Sequence, residues 1–149
     1  MSKKKLARIL ITLPTLVYGF VPPFVDFSST HVFHSAWTPH ARFHMVWLVA
    51  TNTGIALIAL CLLWSKTILD FGNDLVLKIK IAALLGFCAL GGFFFAVMVL
   101  PFYPGSLADS NGVPDIMGID ANLLVFLPSL ICLLTGFLLS VTTRTQSDQ

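Results

Sequence analysis

Glutamate is absent from this chain of 149 residues, only 11% of which are charged. Every role that needs a carboxylate side chain falls to Asp26, Asp70, Asp74, Asp109, Asp115, Asp120 or Asp148. An ordinary soluble domain carries roughly a quarter of its residues as charges, so the shortage points to lipid rather than water as the solvent. The formal charge is only +2, and Lys and Arg sit in short clusters at the edges of apolar runs. A reader of nucleic acid needs a basic face, so no nucleic-acid partner is expected. Cysteine is scarce, and Cys61, Cys88 and Cys132 all lie deep inside apolar runs, where they read as small packing residues and not as a disulfide framework. The chain also lacks a phosphate-binding glycine loop, a nucleophilic serine in a recognisable motif and a paired set of catalytic carboxylates.

What the chain does have is apolar length. Four stretches stand out, about 6–25, 43–64, 81–103 and 121–143, each near the ~20 residues that cross a ~30 Å hydrocarbon core. Lipid offers the backbone no hydrogen-bond partner, so continuous apolar runs of this length are expected as helices. The alternation of a membrane barrel is missing. The expected fold is all-α: an integral membrane four-helix bundle, one domain over 1–149.

The first stretch follows Lys3, Lys4, Lys5 and Arg8 like a signal peptide, yet no small-residue cleavage site follows it. It reads as an uncleaved anchor. Pro14 is expected to kink it, and Pro22 with Pro23 to end it. Thr38 followed by Pro39 has the chemistry of an N-cap and first turn, and should open the second helix. Basic residues cluster at the N-terminus, in the second connection as Lys66, Lys78 and Lys80, and at Arg144. The other connections, 26–42 and 104–120, hold one Arg, no Lys and several Asp. The bias places both termini in the cytoplasm of a multi-pass protein, in a bacterium at the inner membrane. Trp37, Trp47 and Tyr103 are placed to anchor the outer interface and Trp64 the inner one. Cys88, Gly92 and Ala96 recur every fourth residue in the third helix, as do Ala50 and Gly54 in the second; small residues at this spacing let helices approach closely in lipid. No internal repeat supports an inverted-repeat transporter.

All four histidines, His31, His34, His40 and His44, lie within 31–44, leading into the second helix. At 3.6 residues per turn His40 and His44 share one face, Trp47 and Thr51 continue that stripe, and Arg42 points to roughly the opposite side. A pair of imidazoles at i, i+4 suits a transition metal such as zinc if further ligands arrive. The expected set is His31, His40 and His44, with Asp26, Asp109, Asp115 or Asp120 as an added ligand or second-sphere partner. Alternatively, the helix N-terminus with Arg42 and Thr38 suits an anion, a carboxylate or lipid phosphate, with His40 or His44 in proton transfer. Interfacial histidines bonded to loop carbonyls, and an Arg reaching for headgroups, would produce the same pattern without chemistry. Haem is disfavoured because every His belongs to one stretch. Asn52 is the deepest amide, either gluing helices together or touching a ligand at the foot of an outward cavity. The segment 109–120 superficially resembles a calcium loop, but its glycine comes too early and the terminal Glu is missing, which leaves a turn built on Asn111 and Gly112.

The block Thr30, His31, Val32, Phe33, continuing through Trp37, Thr38, Pro39, His40, Ala41, Arg42, Phe43, His44, resembles the signature of a family of small, uncharacterised bacterial four-helix membrane proteins. In that family a THxF segment precedes a W-x-PHARFH segment, and here His34 and Ser35 stand where an Asn-Pro pair is expected. The resemblance implies four spans and no particular activity. Three functions remain open. One is a small membrane enzyme or binding protein for a hydrophobic or lipid-like ligand, with His40, His44 and Arg42 as catalytic groups and His31, Trp47, Thr51, Asn52 and Asp120 around the ligand. Another is an accessory subunit docked on a larger membrane protein or on a second copy of itself. The third is metal or proton transport, which lacks an ionisable residue at mid-span.

Overall fold

The computed structural model describes residues 1–65, 74–107 and 114–144. The expectations placed on Lys66, Asp70, Asp109, the Asn111-Gly112 turn and Asp148 lie outside the described residues. Four helices carry the architecture: α1 (Lys3–Asp26), α2 (Pro39–Trp64), α3 (Leu75–Met98) and α4 (Ala121–Arg144), with a short 3-10 turn at Leu100–Phe102. Their 24 to 26 residues correspond to about 36–39 Å at ~1.5 Å per residue, more than the ~30 Å of a hydrocarbon core. All four are long and apolar enough to cross a membrane. No strand forms among the described residues; a single bridge between Ile116 and Ile119 closes a turn in which Met117 and Gly118 take φ of 57° and 78°.

Local chemistry sets most helix ends. Thr38 accepts the Ala41 N–H at 3.2 Å and Pro39 fills the first turn, as the sequence predicts for the start of α2. Asp74 Oδ1 accepts the N–H groups of Val76 and Leu77 at 3.0 and 3.1 Å, so α3 starts earlier than its apolar run. Lys78 and Lys80 consequently sit in the opening turns of α3 and not in the connection before it, and Lys78 is buried there. The end of α3 at Met98 precedes Pro101, which has no N–H to donate back into the helix.

Pro22 and Pro23 do not end α1; together with Pro14 they lie inside it. The Gly19 carbonyl would ordinarily accept the N–H of residue 23, which proline lacks. Thr53 Oγ1 on α2 stands 2.8 Å from Gly19 O and 2.9 Å from Val49 O of its own helix. Its single proton can thus be shared with the carbonyl orphaned by Pro23, the kind of repair that lets proline persist inside a membrane helix. Thr53→Val keeps the shape and removes the proton. We expect it to cost about 1 kcal/mol in detergent denaturation, with Thr53→Ser close to wild type; equal stability of all three proteins would refute the repair.

The helices run alternately up and down, since Thr12 meets Trp64 while Gly19 meets Ala56, and Phe93 meets Phe126 while Phe87 meets Phe137. Each helix packs on its chain neighbours, α1 packs on α4, and α1 also reaches α3 across the diagonal, whereas the backbones of α2 and α4 make no close approach among the described residues. The bundle is therefore a rhombus with α1 and α3 along its short diagonal. The core that fills it is thin, with Ala7 and Ile11 of α1, Ala56 and Ala59 of α2, Ala82, Ala83 and Leu90 of α3 and Leu133 of α4 all but fully buried. Three glycines permit the closest approaches: Gly19 lies against Ala56, Gly86 against Leu133 and Tyr18, and Gly136 against Ile11 and the Ala7 carbonyl. The small-residue stripes expected to serve this purpose do not. Gly54 and Gly92 have no heavy atom near an added Cβ, and Ala50, Cys88, Gly92 and Ala96 are exposed on the outside of the bundle.

The end holding Lys3, Lys4, Lys5, Lys78 and Lys80 is closed by Trp64, whose Nε1 donates to Thr12 Oγ1 at 2.9 Å while the Arg8 guanidinium lies 3.6 Å above its ring. All four histidines sit at the opposite end.

Candidate functional site

The histidine end is built from the last turn of α1, the connecting segment 27–38 and the first three turns of α2. The segment is wired internally. Val32 N–H returns to the Asp26 carbonyl at 3.0 Å, Phe33 N–H to Ser28 O at 3.0 Å, His34 N–H to His31 O at 2.9 Å and Trp37 N–H to His34 O at 3.2 Å. This succession of turns satisfies backbone groups that water reaches poorly at a bilayer surface, and Val32 is the side chain that it buries.

His31 belongs to this network. Its Nδ1 is 2.8 Å from Thr30 Oγ1, which is 2.7 Å from Ser28 Oγ, and its Nε2 lies 3.9 Å from Asp26 Oδ1. The ring stands edge-on to Trp37 with centroids 5.7 Å apart. Thr30 and His31 thus act together to tie the segment to the end of α1. His34 has a local part, its Nδ1 accepting the Ala36 N–H at 3.3 Å.

Arg42 faces away from the other α2 side chains singled out by the sequence. Its Nη2 donates to the His34 carbonyl at 2.8 Å, latching the segment to α2, and its buried Nε has no partner. Bonding to a loop carbonyl leaves less of the fork free for an anion than the sequence suggests.

His40 and His44 come together as their spacing requires. Their Nε2 atoms are 3.0 Å apart, the rings are perpendicular with centroids 4.5 Å apart, and both residues are exposed. His44 stacks on Trp47 at 5.8 Å and meets Phe43 edge-on at 5.8 Å. The stripe continues through exposed Thr51, with Asn52 half-buried beside it. One shallow groove of about 520 Å³ runs along α2 between Trp37, Thr38, Ala41, His44, Met45 and Leu48; a smaller one of about 350 Å³ lies against Phe43, Val46 and Trp47. His44 and its ring partners separate the two.

Of the residues expected to share one site, the structure gathers His40, His44 and Trp47, while His31 meets Trp37, which lines the groove together with His44. Among the described residues no three His, Cys or Asp side chains converge on one point. Asp120 Oδ1 accepts the N–H groups of Asn122 and Leu123 at 2.8 and 3.3 Å, capping α4, and Asp115 is exposed. Sequence reasoning missed Trp37 as a wall of the groove and Ser28 with Thr30 as supports of His31. The crowding of hydroxyls at 28–30 was the available signal.

No curated protein and no solved structure matches the chain. A family model does, over residues 10–148, which takes in the histidine end and the helices apart from the first two turns of α1, and the chain belongs to the family of unknown function DUF6640.

Proposed function

We propose that this multi-pass membrane protein binds a lipid-like amphiphile in the groove along the first turns of α2. Its histidine end would face the outer side of the cell membrane and its lysine-rich end, with both termini, the cytoplasm; the lysines support that orientation. The observation that carries the reading is the groove itself. Met45, Leu48 and the Trp37 ring offer apolar surface for a chain, while Thr38 and His44 stand at its edge to meet a polar head. The first turn of α2 also projects beyond the hydrocarbon if the rest of its 26 residues spans it, which sets His40 at headgroup depth and His44 at the upper edge of the hydrocarbon.

A catalytic version assigns proton transfer to His40 and His44, and it draws support from the hydrogen bond between their Nε2 atoms. Two imidazoles in contact at the mouth of an amphiphile groove can take a proton from a head group and pass it on.

The test is native mass spectrometry of the full chain released from mild detergent. We expect a bound amphiphile at one per chain, and Ala41→Trp, which fills the groove floor, should reduce its occupancy about tenfold, or ~1.4 kcal/mol. Leu138→Trp, on an exposed face of α4, should leave it unchanged. Equal occupancy in both variants would rule the groove out.

A further inference from the structure

Beyond amphiphile binding, and independent of it, we infer that His40 and His44 form a two-imidazole chelate for a divalent transition metal with tetragonal preference, Cu(II) in the first place. The Nε2 atoms are 3.0 Å apart. Two nitrogens ~2.05 Å from one metal are about 2.9 Å apart at a right angle and about 3.35 Å apart at the tetrahedral angle, taking the usual metal–imidazole bond length. The observed separation is that of a hydrogen bond and lies nearer the right-angle value, so little movement brings the two atoms to adjacent corners of a square, the arrangement favoured by Cu(II) and Ni(II). We take the pair without His31, which the sequence groups with it as a zinc site, because His31 has Thr30, Asp26 and Trp37 beside it.

Support around the pair strengthens the assignment. Thr38 and Pro39 fix the start of α2, so the four-residue spacing is delivered on a formed helix. His44 is held between Phe43 and Trp47, while exposure of both imidazoles leaves room for water or an anionic head group at the remaining positions. A hydrogen bond between two neutral imidazoles through Nε2 needs one Nε2–H. Metal binding requires that proton on Nδ1 of the same ring, so both Nε2 lone pairs face the metal with no change in the charge of the pair. No oxidant or reductant is involved.

The test is Cu(II) titration of the full chain, purified in detergent through a tag free of histidine and followed by electron paramagnetic resonance. One Cu(II) per chain is expected, with hyperfine structure from two imidazole nitrogens. His40→Ala or His44→Ala should each weaken binding about 100-fold, as loss of one arm of a chelate does. The double change His44→Ala with Val46→His keeps the number of histidines and sets them six residues apart, about 120° around the helix, at an exposed position, and should show the same loss. His31→Ala should bind like wild type. Undiminished binding in the misspaced chain, or loss in His31→Ala, overturns the proposal. Helical circular dichroism matching wild type qualifies each variant, and His31→Gln, His40→Gln or His44→Gln, closer in size, replaces the alanine variant that fails at its own position.

Discussion

Gly19→Val is expected to destabilise the bundle by roughly 2–3 kcal/mol, the upper range for overpacking a filled interface. A Cβ at this position would fall on the Cβ of Ala56 and stand 3.8 Å from the Asn52 carbonyl. Neither neighbour can turn aside: one is a methyl group fixed to its helix and the other is backbone. The only relief is to move α1 away from α2, which also stretches the Thr53 bond to Gly19 O that offsets Pro23. In a chain of this size the loss corresponds to a fall of about 5–10 °C in thermal midpoint, read by circular dichroism in detergent. Gly54→Val is the matched control, because an added Cβ there meets nothing within 4 Å, and it should stay within ~0.5 kcal/mol of wild type. If the two variants melt together, α1 and α2 do not approach at Gly19.

That contrast marks the boundary of what could be read from residues alone. Four apolar runs announce four helices, and Thr38-Pro39 announces the start of α2. Which glycines lie at interfaces is not local information. Helices that are apolar all round carry no polar face to say which side meets a partner, and the Cys88, Gly92, Ala96 stripe turns out to face outward while isolated Gly19, Gly86 and Gly136 take the contacts. The same holds for the prolines: Pro22 and Pro23 read as a stop because the donor that accommodates them, Thr53, lies on another helix. Asp74 moved the start of α3 because a cap outranks a gap in hydropathy.

The site divides along the same line. His40 and His44 meet because four residues is one turn of a helix, a short-range fact. His31 was grouped with them by proximity in sequence, but turns between residues 26 and 38 direct it toward Asp26 instead. Asp120 looked available to a ligand and is engaged at the start of α4. Aspartates that precede helices tend to be taken up in this way, since the first N–H groups of a helix have no internal partner.

Arg42 decides whether the groove has two walls. One wall is α2 itself, and the other is the Trp37 ring, carried by a segment that Arg42 holds through the His34 carbonyl. Arg42→Ala is expected to cost about 1.5 kcal/mol, the low end for a hydrogen bond from a charged group because the side chain is only partly buried, and to lower the thermal midpoint by about 3–6 °C. Amphiphile occupancy should fall with it, since Trp37 is no longer held across the groove from Met45 and Leu48. Arg42→Lys should recover only part of both, as an ammonium on a flexible stem cannot reproduce the planar fork. His40→Ala, an exposed change that leaves the latch intact, should match wild type in melting and in amphiphile occupancy while losing Cu(II). If instead Arg42→Ala melts like wild type, the guanidinium is solvated by lipid headgroups rather than by His34, and the second wall of the groove must be held by the Asp26, His31 and Thr30 network alone.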